Sequence, residues 1–547
     1  MATFILMFVA ASGATASSPA ASIRGSHMLA VEEVRQSLQD SMQEVLRGGS
    51  WSKLEKIEQS IWQTYQSLPK NEFGHIGPRA VRYLVHNYFA KEHGWLIKGL
   101  EPHGHQADMS QVHEVNILQD KAPALVESLL EAQRKGRGLA LADAVAMLAT
   151  LERLIFEEAV ILLQAAYRLN SIAPVEQVDE RAMHEVLSSY LVLFEMGQKA
   201  DLNNTDLHRA LKARAAEVSS NWPLLVEFEQ DSLHNYVYAN KDTRNPFVGE
   251  ELFDFEDAVT IVEGMAHGYG KWQNTECQQM KHELMDLDSE GNGLVPLGRF
   301  YSQPENAEYH FTETREYLRQ IGALQESGTG DLHVRIANYM TGPSNCIASS
   351  SYYSVCCLNE CEGLMNELEA KVLAPTTTAH RLLDLVVNMS SANVDAPRQI
   401  PSALEQKLHL IAKQNDGQVP LHGRLFAQWM HYAYPHECPY PQIAEDAAVL
   451  TPSHWQDKKT VVSKAERVQL AEVHTAVQVV EEEETLLTWN ETEVLAAYDA
   501  PERKSFNGVR LFAQLGLLAA LLRAALGATA SLLPRGCGKC NAAELPF

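Results

Sequence analysis

Residues 288–299, DSEGNGLVPLGR, are the stretch from which the rest of the chain is read. Counting Asp288 as the first position places Glu290 third, Asn292 fifth, Gly293 sixth, the Leu294 carbonyl seventh and Val295 eighth. That is the order of an EF-hand calcium loop: oxygen donors at alternate positions, a glycine for the sharp turn, then an apolar residue that pairs with a neighbouring loop. The preceding WQNTECQQMKHELMDL, residues 272–287, has the apolar spacing of an entering helix. Counting from Asp286 instead would put Gly293 at the apolar position, so the first frame is the better one. Position 12 breaks the pattern, because Arg299 stands where a bidentate glutamate normally completes the cage. The expectation is therefore weak Ca2+ binding at most, through Asp288, Glu290, Asn292 and the Leu294 carbonyl, unless Glu305 or another acid reaches in.

The same Gly-x-Val-Pro-Leu recurs at 417–421. Aligning Gly417 with Gly293 puts Ala412, Gln414 and Asp416 at the side-chain positions and Gly423 at position 12, so only the turn and the apolar Val419 survive. A fainter copy lies in LPKNEFGHIGPRAVRYLVHNYF, residues 68–89, with Gly74 at the turn, Ile76 at the pairing position, Asn71 as the one plausible ligand and Ala80 at position 12. Three helix-loop-helix units follow, whose loops keep their pairing for packing after ion binding is lost. The plainer alternative is a turn that starts a helix, with Pro296 and Pro420 in its first turn.

Most of the remaining sequence also has helical periodicity. In LALADAVAMLATLERLIFEEAVILLQAAYRL, Leu141, Val145, Leu148, Ile155, Leu162 and Ala166 recur near every 3.6 residues. The acids Glu152, Glu157 and Glu158 in that stretch lack a Glu-x-x-His partner and read as a solvated helix face. Sustained strand-type alternation is scarce, so the predicted fold is all-α and multi-helical, with degenerate EF-hand-like units. The predicted layout is a helical domain over 28–200, a cysteine-containing EF-hand-like domain over 201–445 and an acidic stalk over 446–508. With 45 Lys plus Arg against 70 Asp plus Glu, the net charge is -25, which excludes general attraction to nucleic acid and suits cations or basic partners.

Several features point to export. A short apolar run from Phe4 to Ala10 precedes Ala14-Thr15-Ala16, the pattern of a signal peptide over 1–16, although no basic residue stands before it. Residues 509–533 contain a 23-residue apolar run from Leu511 to Leu533 interrupted by one charge, Arg523, long enough for a C-terminal transmembrane helix followed by a short tail at 534–547. An amphipathic helix marked by Arg510, Gln514 and Arg523 is the competing reading. Asn203, Asn388 and Asn490 begin glycosylation sequons. Cys277, Cys346, Cys356, Cys357, Cys361 and Cys438 permit three disulfides, with fifteen connectivities open.

Catalytic motifs are mostly wanting. No His-Glu-x-x-His, Gly-x-Ser-x-Gly, phosphate loop or dinucleotide motif occurs. His431, His436 and Cys438 have the chemistry of zinc ligands at a spacing that matches no zinc module. Phe426, Trp429, Met430 and Ala433 read as a core face.

The loops and the cysteine-rich block carry a resemblance. LPKNEFGHIGPRAVRYLVHNYF, TECQQMK, GLVPLGRFY, EYLRQIGALQE, NYMTGPSNCIASSSYYSVCCLNECEGLMNELE and VPLHGRLFAQWMHYAYPHECPYP resemble an EF-hand-like family of secreted or membrane-anchored proteins of dinoflagellate algae, over most of residues 28–455. The family carries no established activity, so the resemblance implies the layout and no catalytic residues. The resulting expectation is a non-enzymatic interaction or scaffold protein of the secretory pathway, single-pass, with its N-terminal part luminal or extracellular and a protein partner of unknown identity. A secretory enzyme with a site assembled from distant residues, or an intracellular calcium-sensor-like adaptor, are the alternatives.

Overall fold

The computed structural model describes residues 51–98; 138–240 apart from 198–199 and 219–220; 252–441 apart from 303–309, 327–330, 348–349 and 351; 462–473; and 489–497 apart from 496. The expected signal peptide, the apolar segment 509–533 and the tail lie outside these residues. Among the described residues, no helix is long and apolar enough to cross a membrane.

The helices in chain order are α1 (Trp51–Ser67), α2 (Pro78–His93), α3 (Leu141–Leu169), α4 (Glu180–Met196), α5 (Thr205–Val218), α6 (Trp222–Ala239), α7 (Phe255–Leu287), α8 (Leu297–Tyr301), α9 (Arg315–Gln320), α10 (Ile336–Met340), α11 (Glu360–Val372), α12 (Ala379–Val387), α13 (Ser402–Gln414), α14 (Arg424–Ala433) and α15 (Lys464–Val473). Between them run short strands: β1 (Trp95–Ile97), β2 (Val178–Asp179), β3 (Leu252–Phe253), β4 (Leu294–Pro296), β5 (Leu324–Glu326), β6 (Leu332–Arg335), β7 (Cys346–Ile347), β8 (Tyr353–Cys356), β9 (Thr376–Thr377) and β10 (Val419–Pro420). The all-α expectation is thus overturned: the helices are tied by four small antiparallel sheets, ordered β1-β8-β7, β2-β3, β4-β6-β5 and β9-β10. Strands of two to four residues leave no alternation long enough to be seen as a period of two.

Four of the loop pairings, three in strands and one an isolated bridge, follow one rule. A buried residue pairs with its counterpart on another loop, and a helix starts shortly after. Ile76 pairs with Leu139, Val178 with Phe253, Val295 with Val334, and Val419 with Thr377. All eight are buried. In seven of them the helix begins two residues later; only Val419 is followed by a longer turn before α14. The residue between pair and helix is often a cap: Asp179 accepts from the Ala182 amide at 2.7 Å, Asp254 from Asp257 at 3.0 Å and Thr378 from Arg381 at 3.3 Å. The bridges satisfy loop amides and carbonyls that burial would otherwise strand without partners.

Among the described residues, three clusters of buried side chains form the interior. The largest joins α1 to α4 with α6, the first half of α7 and strand β8, and so draws on both sides of residue 200. A second surrounds β4, β6 and α8, and a third packs α11 to α14. Helix α7, 33 residues long, begins in the first cluster and ends in the second. Two pieces of the acidic stretch 446–508 belong to the fold. The Val462 amide donates to the Thr312 carbonyl at 2.7 Å, and Arg424 donates to the carbonyls of Asn490 and Thr492.

Three disulfides close the cysteine block: Cys277–Cys357, Cys346–Cys356 and Cys361–Cys438. They mark a protein of an oxidising, secreted or extracellular environment. Cys346 and Cys356 are also directly opposed in the β7–β8 ladder.

Candidate functional site

Asp288 is the cap of α7, and its carboxylate organises the whole loop. Oδ1 accepts from the amides of Glu290 (3.2 Å) and Gly291 (2.9 Å), while Oδ2 accepts from the Gly293 amide (2.7 Å). The remaining side of Oδ2 is taken by His436 Nε2 at 2.9 Å. Burial pushes the Asp288 carboxyl up. The His436 imidazole and the Gly293 and Gly291 amides outweigh it and hold the group below its ordinary value.

The other expected ligands are used within the loop. Asn292 Nδ2 donates to Glu290 Oε2 at 3.0 Å, and Asn292 Oδ1 accepts from the Leu294 amide at 3.0 Å. Leu294 stands opposite Arg335 in the β4–β6 ladder. Arg299, at position 12, donates to the Leu287 carbonyl at 3.3 Å. A calcium cage needs six or more oxygens, including a bidentate carboxylate at that corner. Asp288, Glu290, Asn292 and Leu294 do come together, but Asp288 is answered by loop amides and the His436 imidazole and Arg299 occupies the corner of the bidentate ligand, so the residues fit a self-satisfied turn better than a cation.

His436 arrives on a segment from the far end of the fold. Residues 434–441, the YPHECPYP end of the aromatic stretch, lie across the loop and are pinned at four points. Gly293, with φ +79°, presents its bare Cα to this segment; a Cβ there would stand 2.6 Å from the Pro435 carbonyl oxygen. His436 meets Asp288, and Cys438 is bonded to Cys361. Asn338 and the Tyr440 backbone exchange two hydrogen bonds, at 2.7 and 2.9 Å. Beneath them the buried Arg335 guanidinium lies 4.4 Å from the Tyr440 ring centre.

The zinc reading of His431, His436 and Cys438 is overturned. The Cys438 sulfur is spent in a disulfide, His431 Nδ1 faces the Cys438 carbonyl at 2.7 Å, and His436 points at Asp288. Burial and the nearby Arg335 push His431 down to about 3, so it stays neutral.

The partner of the Asp288 loop was not anticipated. It is the segment between α9 and α10, where Val334 pairs with Val295, whereas the second Gly-x-Val-Pro-Leu copy pairs with the loop after α11. The sequence also misplaced Glu152. It is buried, beside His93 and near His267, rather than on a solvated face. Its spacing held the signal, since 152 falls four residues after Leu148 and three before Ile155, on the apolar stripe itself. Of its neighbours, Glu157 pairs with Arg153 at the surface and Glu158 accepts from Ser350 at 2.7 Å.

Comparison with family models, with curated proteins and with solved structures finds no match.

Proposed function

We propose that the chain is an exported interaction or scaffold protein built from EF-hand-like loop pairs, whose loops act as joints between helices and bind calcium at most weakly. The observation that carries this reading is the His436 imidazole on Asp288, held there by the Cys361–Cys438 disulfide. In it, the first ligand of a calcium loop has become an anchor between two loop pairs. The asparagines of all three glycosylation sequons are exposed, which agrees with passage through the secretory pathway. The net charge of -25 favours a partner with a basic surface.

The test is thermal unfolding of the full chain, expressed under oxidising conditions, beside Asp288→Ala, each with and without millimolar calcium. The variant is expected to lose several degrees of Tm, and calcium to move neither protein. A wild-type Tm that rises with micromolar calcium, and a variant that no longer responds, would overturn the reading and make this a calcium-linked module.

A further inference from the structure

A second cluster, in a different core from the Asp288 loop, has the construction of a metal centre. His93 is the last residue of α2 and is buried. Its Nε2 lies 3.0 Å from Glu152 Oε1 on α3, and its Nδ1 lies 3.0 Å from Nδ1 of His267 on α7. Glu152 Oε2 faces Lys53 Nζ at 3.0 Å. Single ligand atoms of His93, Glu152 and His267 all lie within 4.8 Å of one another.

The protonation pattern follows from the contacts. Burial pushes the Glu152 carboxyl up, but His93 and Lys53 outweigh it and hold it below its ordinary value, so it is an ionised acceptor. His93 Nε2 must then carry the proton, which leaves the Nδ1 lone pair aimed at His267. This is the arrangement found behind histidine ligands, where a carboxylate takes the far N–H, fixes the tautomer and raises the basicity of the free nitrogen. His267 Nδ1 then donates its proton across the 3.0 Å contact to His93 Nδ1, so each ring carries one proton.

Two nitrogens about 3.3 Å apart subtend an ion at zinc-to-imidazole distance, close to the spacing seen here. The frame that sets this spacing is stiff. His93 stacks on Trp95 with ring centres 4.2 Å apart, and Phe156 flanks His267 at 4.6 Å. Gly270, one turn beyond His267, lets the end of α2 approach: a Cβ there would lie 2.1 Å from the His93 carbonyl oxygen. Glu263, one turn before His267 on the same face of α7, adds a second carboxyl whose charge is felt by Lys53 and Glu152.

We propose that His93 and His267 bind a divalent ion of the zinc or copper class through their Nδ1 atoms, with Glu152 as the positioning carboxylate behind His93. Borderline ions of this class suit imidazole nitrogen, whereas calcium and magnesium prefer all-oxygen sites. Binding requires the proton now between the two Nδ1 atoms to move to His267 Nε2, so that both neutral rings offer a free Nδ1 to the ion. Lys53 supplies the compensating positive charge when no ion is bound. Water completes the coordination, which leaves the ion reachable from the Lys53 side, where that lysine is partly exposed.

Twenty-one histidines make loose surface binding certain in any titration, so the variants must separate the sites. The full oxidised chain, stripped with chelator, is titrated with Zn2+ by calorimetry and with Co2+ by visible absorption, beside His267→Gln, Glu152→Gln and the exposed-site control His234→Ala. Expected are one tight Zn2+ and a tetrahedral-type Co2+ band in wild type and control, loss of both in His267→Gln, and a 10- to 100-fold weaker Zn2+ affinity in Glu152→Gln. Circular dichroism of each metal-free variant separates lost ligation from lost folding. Should His267→Gln unfold, wild-type protein is instead scored by whether Zn2+ protects His267 from diethyl pyrocarbonate. A tight site or Co2+ band that persists in folded His267→Gln, no tight site in wild type, or no protection of His267 would each overturn the proposal and leave Lys53–Glu152–His93–His267 as a buried hydrogen-bonded network.

Discussion

Single residues in this fold are often charged groups placed where water is excluded, and each is answered by a named partner. His422 and Tyr83 meet Glu369 Oε1 at 2.9 and 3.0 Å, and Thr64 donates to its Oε2 at 2.6 Å, which satisfies a fully buried carboxylate. Glu229 is the costly exception. It is fully buried against His184, and burial, opposed by Lys212 and reinforced by Glu185, raises its carboxyl from 4.5 to about 8. At neutral pH the folded state therefore keeps a proton that the unfolded chain has released. Stability must fall as pH rises from about 4.5 to about 8, where the unfolded state binds fewer protons. Glu229→Gln is expected to flatten that slope and to raise Tm at pH 7.5 by several degrees while changing little at pH 4.5, as read by melts across the range. An unchanged slope would mean that Glu229 is ionised in the fold.

Elements are built by the loop pairs, and the cost of disturbing them follows from burial at the bridge. Val334→Ala is expected to cost about 2 kcal/mol, the usual penalty for removing buried methyl groups from a packed site. Gly293→Ala should cost at least as much, because it combines a left-handed backbone with a collision at Pro435. Urea unfolding of both variants checks this; a Gly293→Ala protein as stable as wild type would show that the 434–441 segment lifts freely off the loop. The helices were legible in the sequence because α3 and α7 run long enough for an apolar period to accumulate. The joints were legible only where a glycine or an acid marked the turn, as at Gly74, Gly293 and Gly417. Val178, Phe253, Val334 and Thr377 do the same work without a glycine two places before them, although Asp179 and Asp254 cap the helices after the first two. They carry only an apolar or β-branched residue two places before a helix start, a signal too short to separate from chance. The metal-type cluster was hidden for a different reason: His93, Glu152 and His267 come from three helices and meet only when those helices pack.

For the molecule as a whole, the placement of disulfides has a consequence for how it withstands cleavage. Cys277–Cys357 and Cys361–Cys438 enclose consecutive stretches of chain. A break in any peptide bond between 277 and 357, or between 361 and 438, leaves both halves joined through sulfur. Within 277–438, only the four peptide bonds of the Cys357-Leu358-Asn359-Glu360-Cys361 link separate the protein into two pieces when a single one is cut. Limited digestion should therefore give nicked material that migrates as an intact chain on a non-reducing gel and as fragments after reduction. Early release of fragments without reductant, from cuts inside 278–356 or 362–437, would contradict the pairing. In a protease-rich extracellular setting, one cut in each of these two loops still leaves the region 277–438 travelling as one covalent unit.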